Sequence, residues 1–249
     1  MKHRLSLFAL LALLVSGCSI YHPQAVDIPL VNHRGDLQVD LSAGLSAWVL
    51  PDVLTLNTTA SYGLNDWLAT QAHLNYGFEN VYGQLALGAY ATFGSHGVVE
   101  GYLGTGLGGA WRGRTSYDAD DDDDDDKSSC SRSYEYDGHF LLPFVQGNFG
   151  WRGLAGGHID LAFGLKVGAY QPDFTYNSYD DDDGLVPSRI SHYTTPNLLL
   201  EPQFQFRVGG EHVKWNLRLG FAWMNDVYGA DVNLTYDWLT LSTGLTFFF

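Results

Sequence analysis

The chain has 249 residues, a length that one β domain or two smaller domains could fill. Charged residues make up 16% and aromatics 14%, with 29 glycines against 8 prolines, which suits closely approaching strands and argues against a charged helical bundle. The formal net charge of -15 is concentrated in Asp118, Asp120 to Asp126 and Asp180 to Asp183; the remainder is nearly neutral, and the lack of a basic patch speaks against a nucleic-acid partner.

Residues 1–17 combine a short basic start (Lys2, His3, Arg4), an apolar stretch from Leu5 to Val15, and small residues at Ser16 and Gly17. This is the layout of a secretory signal, too short to span a bilayer as a mature helix. The segment Leu14-Val15-Ser16-Gly17-Cys18 resembles a bacterial lipobox, which implies cleavage before Cys18 and acylation of that cysteine. Several acyl chains anchor stably, at about 0.8 kcal/mol per buried CH₂. An ordinary signal peptide with a cysteine near its end is the alternative. Ser19 at the next position is what the resemblance associates with sorting to the outer membrane. With Cys18 acylated, Cys130 has no partner for an intramolecular disulfide. Residues 18–35 are then expected to be a lipidated periplasmic tether to a folded domain over 36–249.

From residue 37 the chain reads with period two. Leu37, Val39, Leu41, Ala43, Leu45 and Ala47 share one parity, and Gln38, Asp40, Ser42, Gly44 and Ser46 the other, which makes a strand with one apolar and one polar face. The same reasoning predicts strands near 53–62, 67–76, 81–93, 98–112, 139–151, 157–170, 196–208, 212–223 and 238–249, about ten in all, with eight to twelve allowed. Short glycine-rich connections at 63–66, 94–97, 152–157 and 209–211 alternate with connections that are mostly longer. The longest, near 113–138 and 171–195, hold both acidic runs.

The faces differ in chemistry. Asp40, Glu100, Arg112, Asp160, Lys166, Glu201, Arg207, Lys214 and Arg218 all take the parity opposite to the large aliphatic residues, together with glycines such as Gly104, Gly106 and Gly108. Balanced charges among small residues fit a narrow polar lumen in which they neutralise one another. The other face, for example Leu161, Phe163, Leu165 and Val167, carries no charge; one there would cost roughly 2–4 kcal/mol at a bilayer midplane. Trp48, Tyr76, Trp111, Trp151, Tyr170, Trp223 and Trp238 lie near strand ends, where interfacial aromatic belts are expected.

Short turns at one end and long loops at the other, the lipobox, and a last strand closing on Phe249 together resemble the small bacterial outer-membrane β-barrel proteins, in a lipoprotein-tethered variety such as Bacteroidota encode. The resemblance spans Leu14 to Cys18 and about residues 36–249. It implies an all-β, antiparallel up-and-down transmembrane barrel in the outer membrane, with acidic extracellular loops and both termini periplasmic. It also implies Phe249 as the signal read by barrel-assembly machinery. The implied surroundings are outer-membrane lipids and an outer-membrane protein partner.

Architecture of this kind hosts many functions. Asp118, Asp120, Asp122, Asp124, Asp126, Asp180, Asp181, Asp182 and Asp183 supply carboxylates of the kind that Ca²⁺ and Mg²⁺ prefer, but without the spacing of a preorganised calcium loop. Weak binding of these ions at the loops is the expectation, with no specific metal and no other cofactor. His73, His139, His158, His192 and His212 are scattered; His139 with Asp137, and His192 with Ser191, are the pairs near the long-loop end, and neither forms a known catalytic motif. No catalytic residue is assigned. The leading reading is a non-enzymatic barrel lipoprotein acting in surface interaction or as an accessory subunit of an outer-membrane assembly. The alternatives are a narrow pore for small solutes or ions, and a protease or lipid-modifying enzyme at the rim.

Overall fold

A computed structural model of the chain describes residues 18–21, 26–46, 54–118, 131–179, 186–225, 234–236 and 238–249. In chain order the strands are β1 (Cys18–Tyr21), β2 (Leu37–Ser46), β3 (Leu54–Gly63), β4 (Leu68–Gly77), β5 (Asn80–Phe93), β6 (Gly97–Asp118) and β7 (Ser131–Gly153). There follow β8 (Ile159–Tyr179), β9 (Arg189–Tyr193), β10 (Asn197–Gly209), β11 (Val213–Phe221), β12 (Trp223–Met224), β13 (Leu234–Tyr236) and β14 (Leu239–Phe248).

Strands β2 to β8, β10, β11 and β14 form a closed antiparallel barrel. Consecutive members pair; the cylinder is completed where β14 meets β2, with Leu241 opposite Leu45, and where β8 meets β10, with Lys166 opposite Glu201. Closure leaves the barrel wall without a free edge, as a sheet surrounded by lipid requires. Short turns join β3 to β4, β5 to β6, β7 to β8 and β10 to β11. Gly94, Gly153, Gly156 and Gly157 adopt positive φ in two of them, the conformation that such tight reversals demand.

The alternation produces an inside-out molecule. On β3 and β4, Leu56 is 60% and Leu74 55% exposed, while their neighbours Asn57 and Asn75 are 2% and 1% exposed. Leu85, Leu103, Leu107, Val145 and Phe163 also point outward. Around the barrel wall, below the long-loop extension, an uncharged and largely aliphatic exterior surrounds a polar interior, which is the surface of a chain solvated by lipid.

Two expectations from the sequence require correction. Tyr170 does not join an outer belt: it is fully buried and packs against Phe140 in the lumen, because it has the inward parity of Lys166 and Gly168. Tyr76, Trp111, Trp223 and Trp238 are exposed, Trp151 is half-buried, and Trp48 lies outside the described residues. The second correction concerns the supposed tether. Residues 26–31 are buried inside the barrel, so the folded unit begins well before residue 36. Phe249 lies at the short-turn end beside Leu37, as an even strand number dictates, but Cys18 pairs with Leu234 in a parallel β1–β13 ribbon at the long-loop end. The two termini of the described chain therefore sit at opposite ends of the barrel.

Strands β6, β7 and β8 run well past the predicted limits and project as a three-stranded extension at the long-loop end, where β9 adds to β8. Asp118 ends β6, whereas Asp120, Asp122, Asp124, Asp126, Asp180, Asp181, Asp182 and Asp183 lie outside the described residues.

Candidate functional site: the occupied lumen

The inward faces build a dense polar interior. Of the nine charges assigned to the lumen, Asp40, Glu100, Asp160, Lys166, Glu201, Arg207, Lys214 and Arg218 are buried. Arg112 sits higher, at the rim, where its Nε is 2.9 Å from Glu79. The buried groups form local sets. Asp40 accepts from Arg218, Asn216 and Thr246, with Thr246 Oγ1 at 2.9 Å. Lys214 Nζ lies 2.6 Å from Asp160 Oδ1, and the other oxygen of Asp160 is 3.6 Å from Arg207. Lys166 Nζ reaches Glu201 at 3.2 Å and Gln84 at 3.1 Å.

The central occupant of this interior is the chain's own N-terminal segment. Val26, Ile28, Leu30 and Val31 are fully buried, and Asp27 nearly so. The aliphatic side chains of Ile28 and Leu30 pack with Val98 and Ala162, and Val31 with Tyr102 and Phe144. A β-carbon at Gly164 would lie 3.1 Å from Ile28 Cδ1, so the absence of a side chain there leaves the room that Ile28 fills.

A segment without strand partners must satisfy its backbone by other means, since a buried unpaired amide costs about 1–3 kcal/mol. Lumen side chains supply the partners. Val31 N–H donates to Glu100 Oε1 at 2.7 Å and Ile28 N–H to Gln205 Oε1 at 2.8 Å. Gln71 donates to the Asp27 carbonyl at 2.8 Å, Arg152 to that of Leu30 at 3.2 Å, and Arg207 to those of Ile28 and Pro29. The Asp27 carboxylate lies 2.9 Å and 3.0 Å from Arg207 Nη2 and takes a 2.9 Å bond from Gln205. Asp36 closes the lower end as an ion pair with Arg152. Leu30 has a φ of 56°, a conformation that costs a non-glycine residue about 1 kcal/mol or more and persists where surrounding contacts fix it.

Towards the long-loop end the interior turns aromatic. Tyr21 packs edge-on against Phe140 and Tyr170, and its hydroxyl donates to Glu201 at 2.8 Å. Tyr82 stacks on Phe140. Gly106 and Gly108 lie beneath the Tyr82 and Phe140 rings, where any side chain would collide. At the opposite end Phe248 is ringed by Arg152, Lys214 and Arg207, with cation centres 4.8, 5.5 and 5.7 Å from its centroid.

Asp27, Asp36 and Arg152 were outside the set deduced from strand parity. The sequence did carry a signal for the segment: Val26-Asp27-Ile28-Pro29-Leu30-Val31 is too apolar for a solvated tether. The histidines are not gathered. His139 is on the outer face, 3.8 Å from an exposed Asp173, His192 is exposed beside Thr175, and His73 is buried against Thr59. His158 is exposed and bonded to the Gly209 carbonyl, and His212 lies in the β10–β11 turn. Among the described residues no three metal-ligating groups form a cluster.

No protein-family model matches this sequence, and no curated protein does. Among solved structures, the porin NanC is similar with a TM-score of 0.42 at 11% identity, over 84% of this chain and 98% of that one. The translocator domain of the autotransporter NalP from Neisseria meningitidis gives 0.38 at 11% identity, over 88% and 89%. OmpT, an outer membrane protein of Vibrio cholerae, gives 0.22 at 9% identity, over 86% and 96%. At such scores these likenesses add nothing to the architecture described above.

Proposed function

We propose that this chain is a closed, non-enzymatic outer-membrane β-barrel lipoprotein whose resting lumen is sealed by its own N-terminal segment, and whose long-loop end meets surface ligands or a partner outer-membrane protein. The observation that carries this reading is the occupation of the lumen by residues 26–31, with their backbone groups bonded to Glu100, Gln205, Arg207, Gln71 and Arg152. A solute path must be wet and unobstructed, whereas here the centre of the barrel is filled by packed side chains and paired charges. The outward Leu, Val and Phe residues supply the contact with outer-membrane lipids. Phe249, 73% exposed at the short-turn end, is the residue the assembly machinery would read. Cys18 carries the acyl chains, and the acidic loops hold Ca²⁺ or Mg²⁺ weakly.

Planar-bilayer recording tests the seal. The purified full chain is expected to give no steady conductance, and a variant lacking residues 19–34 to give steady channels while still migrating faster before boiling. Steady channels from the full chain, unchanged by the deletion, would establish a pore and overturn the reading. Intact mass of the purified protein tests the anchor: an acylated chain starting at Cys18 is expected, and an unmodified Cys18 contradicts it.

A further inference from the structure

We infer that the N-terminal segment is not merely a plug but an additional crossing of the membrane, carried inside the barrel, so that Cys18 and whatever it bears emerge on the cell-surface side. This rests on the sealed-lumen reading and gives the segment a direction.

The path can be followed level by level. Asp36 lies at the short-turn rim, where the Gly63 amide donates to its carbonyl at 3.0 Å. Val31 is at the height of Glu100, Asp27 at that of Arg207, and Tyr21 at that of Glu201. The pairs Asp27–Arg207 and Tyr21–Glu201 are both separated by 180 residues. Contacts between the segment and β10 are separated by 177 to 180 residues, so the described residues Tyr21 and Asp27 to Pro29 lie broadly in step with β10, a strand that rises roughly 3.3 Å per residue. Beyond Tyr21, Ser19 pairs with Thr235 and Cys18 with Leu234, in the connection between β12 and β14 at the long-loop end. A free tether would have no reason to keep step with β10.

The chemistry of the two halves fits a threaded chain. Near the short-turn end the partners are charged or amide side chains that bind the peptide backbone and one carboxylate. Near the other end they are the rings of Phe140 and Tyr170, which clasp Tyr21. The lumen is a built site for residues 26–36 of this chain, with Tyr21 held among the rings towards the long-loop end. Long loops of outer-membrane barrels face outward, so an acylated Cys18 would place its chains in the outer leaflet rather than the inner one.

The test is epitope accessibility on intact cells, using the full-length chain with a short epitope inserted between Ser19 and Ile20. Epitopes within Asp120–Asp126 and between Ala155 and Gly156 provide outer and inner references. The N-terminal epitope is expected to be labelled on intact cells as fully as the loop epitope. Labelling only after permeabilisation, as for the turn epitope, overturns the inference. If the insertion prevents folding, Ser19→Cys in a Cys130→Ser background, probed with a membrane-impermeant maleimide and compared with Cys130→Ser alone, gives the same two outcomes. Failure of the inference is distinct from failure of the seal. A non-conducting barrel with an inner N terminus removes the threading and keeps the plug; a conducting full chain removes both.

Discussion

At the scale of single residues, Arg207 shows how the interior works. It is buried between Asp27 and Asp160 and also bonds the Ile28 and Pro29 carbonyls. Removing one partner of a buried pair leaves an uncompensated charge, at a cost of about 3–5 kcal/mol. Asp27→Ala is therefore expected to lower the stability of the folded barrel by about that amount in urea titrations in detergent, and Asp27→Leu with Arg207→Met to recover part of it. Equal midpoints for wild type and Asp27→Ala would show that the pair contributes nothing. The outer face follows the opposite logic. Leu103, 68% exposed in the middle of the wall, should tolerate Val or Ile, whereas Leu103→Arg is expected to cost about 2–4 kcal/mol in lipid vesicles. A cost seen in vesicles and absent in aqueous detergent-free aggregates would tie the effect to lipid. Parity made the inward charges legible in the sequence, since every second residue of a strand shares a face. Asp27, Asp36 and Arg152 were not legible in that way: the first two precede the strands, and Arg152 is at a strand end where its reach, not its parity, selects Asp36.

At the scale of elements, the strand cores from Leu37 to Phe248 could be read directly, because each alternates over a run long enough to cross a bilayer and ends in glycine-rich turns. The extension of β6, β7 and β8 could not. Its residues, including Ser133, Glu135, Asn177 and Ser178, are polar on both parities, so alternation fades although the backbone ladder continues. The luminal segment was obscured for a different reason. It has no ladder, and its backbone partners are side chains scattered over β4, β6, β7 and β10, a pairing no local pattern announces. Its fit is nonetheless tight enough to test. Gly164→Leu would push into Ile28, whose Cδ1 lies 3.1 Å from a β-carbon at that site. The expected outcome is a barrel that still migrates faster before boiling but whose N-terminal segment is cut by added protease; full resistance of the segment would place Ile28 elsewhere.

At the scale of the whole molecule, the barrel solves two problems with one arrangement. The closed sheet satisfies the wall's backbone against lipid, and the threaded segment fills a ten-stranded interior that its own glycines would leave too loosely packed. Strand number follows from alternation, turn asymmetry from the lengths of the connections, and the lipid-facing surface from the parity shared by the charges and glycines, which is why the architecture was readable. The place of residues 26–31 was not, because counting strands locates only the start of β2 relative to Phe249 and is silent on a segment that lies in the interior.

The most direct measurement of the central claim is a disulfide between the segment and the wall. Ile28→Cys with Gly164→Cys, in a Cys130→Ser background, should oxidise to an intramolecular bond in the folded barrel, with a mobility change after boiling that is lost on reduction and absent from either single variant. If both cysteines instead remain free to react with maleimide in a barrel that is demonstrably folded, residues 26–31 do not occupy the lumen, and the account of a self-sealed barrel is contradicted.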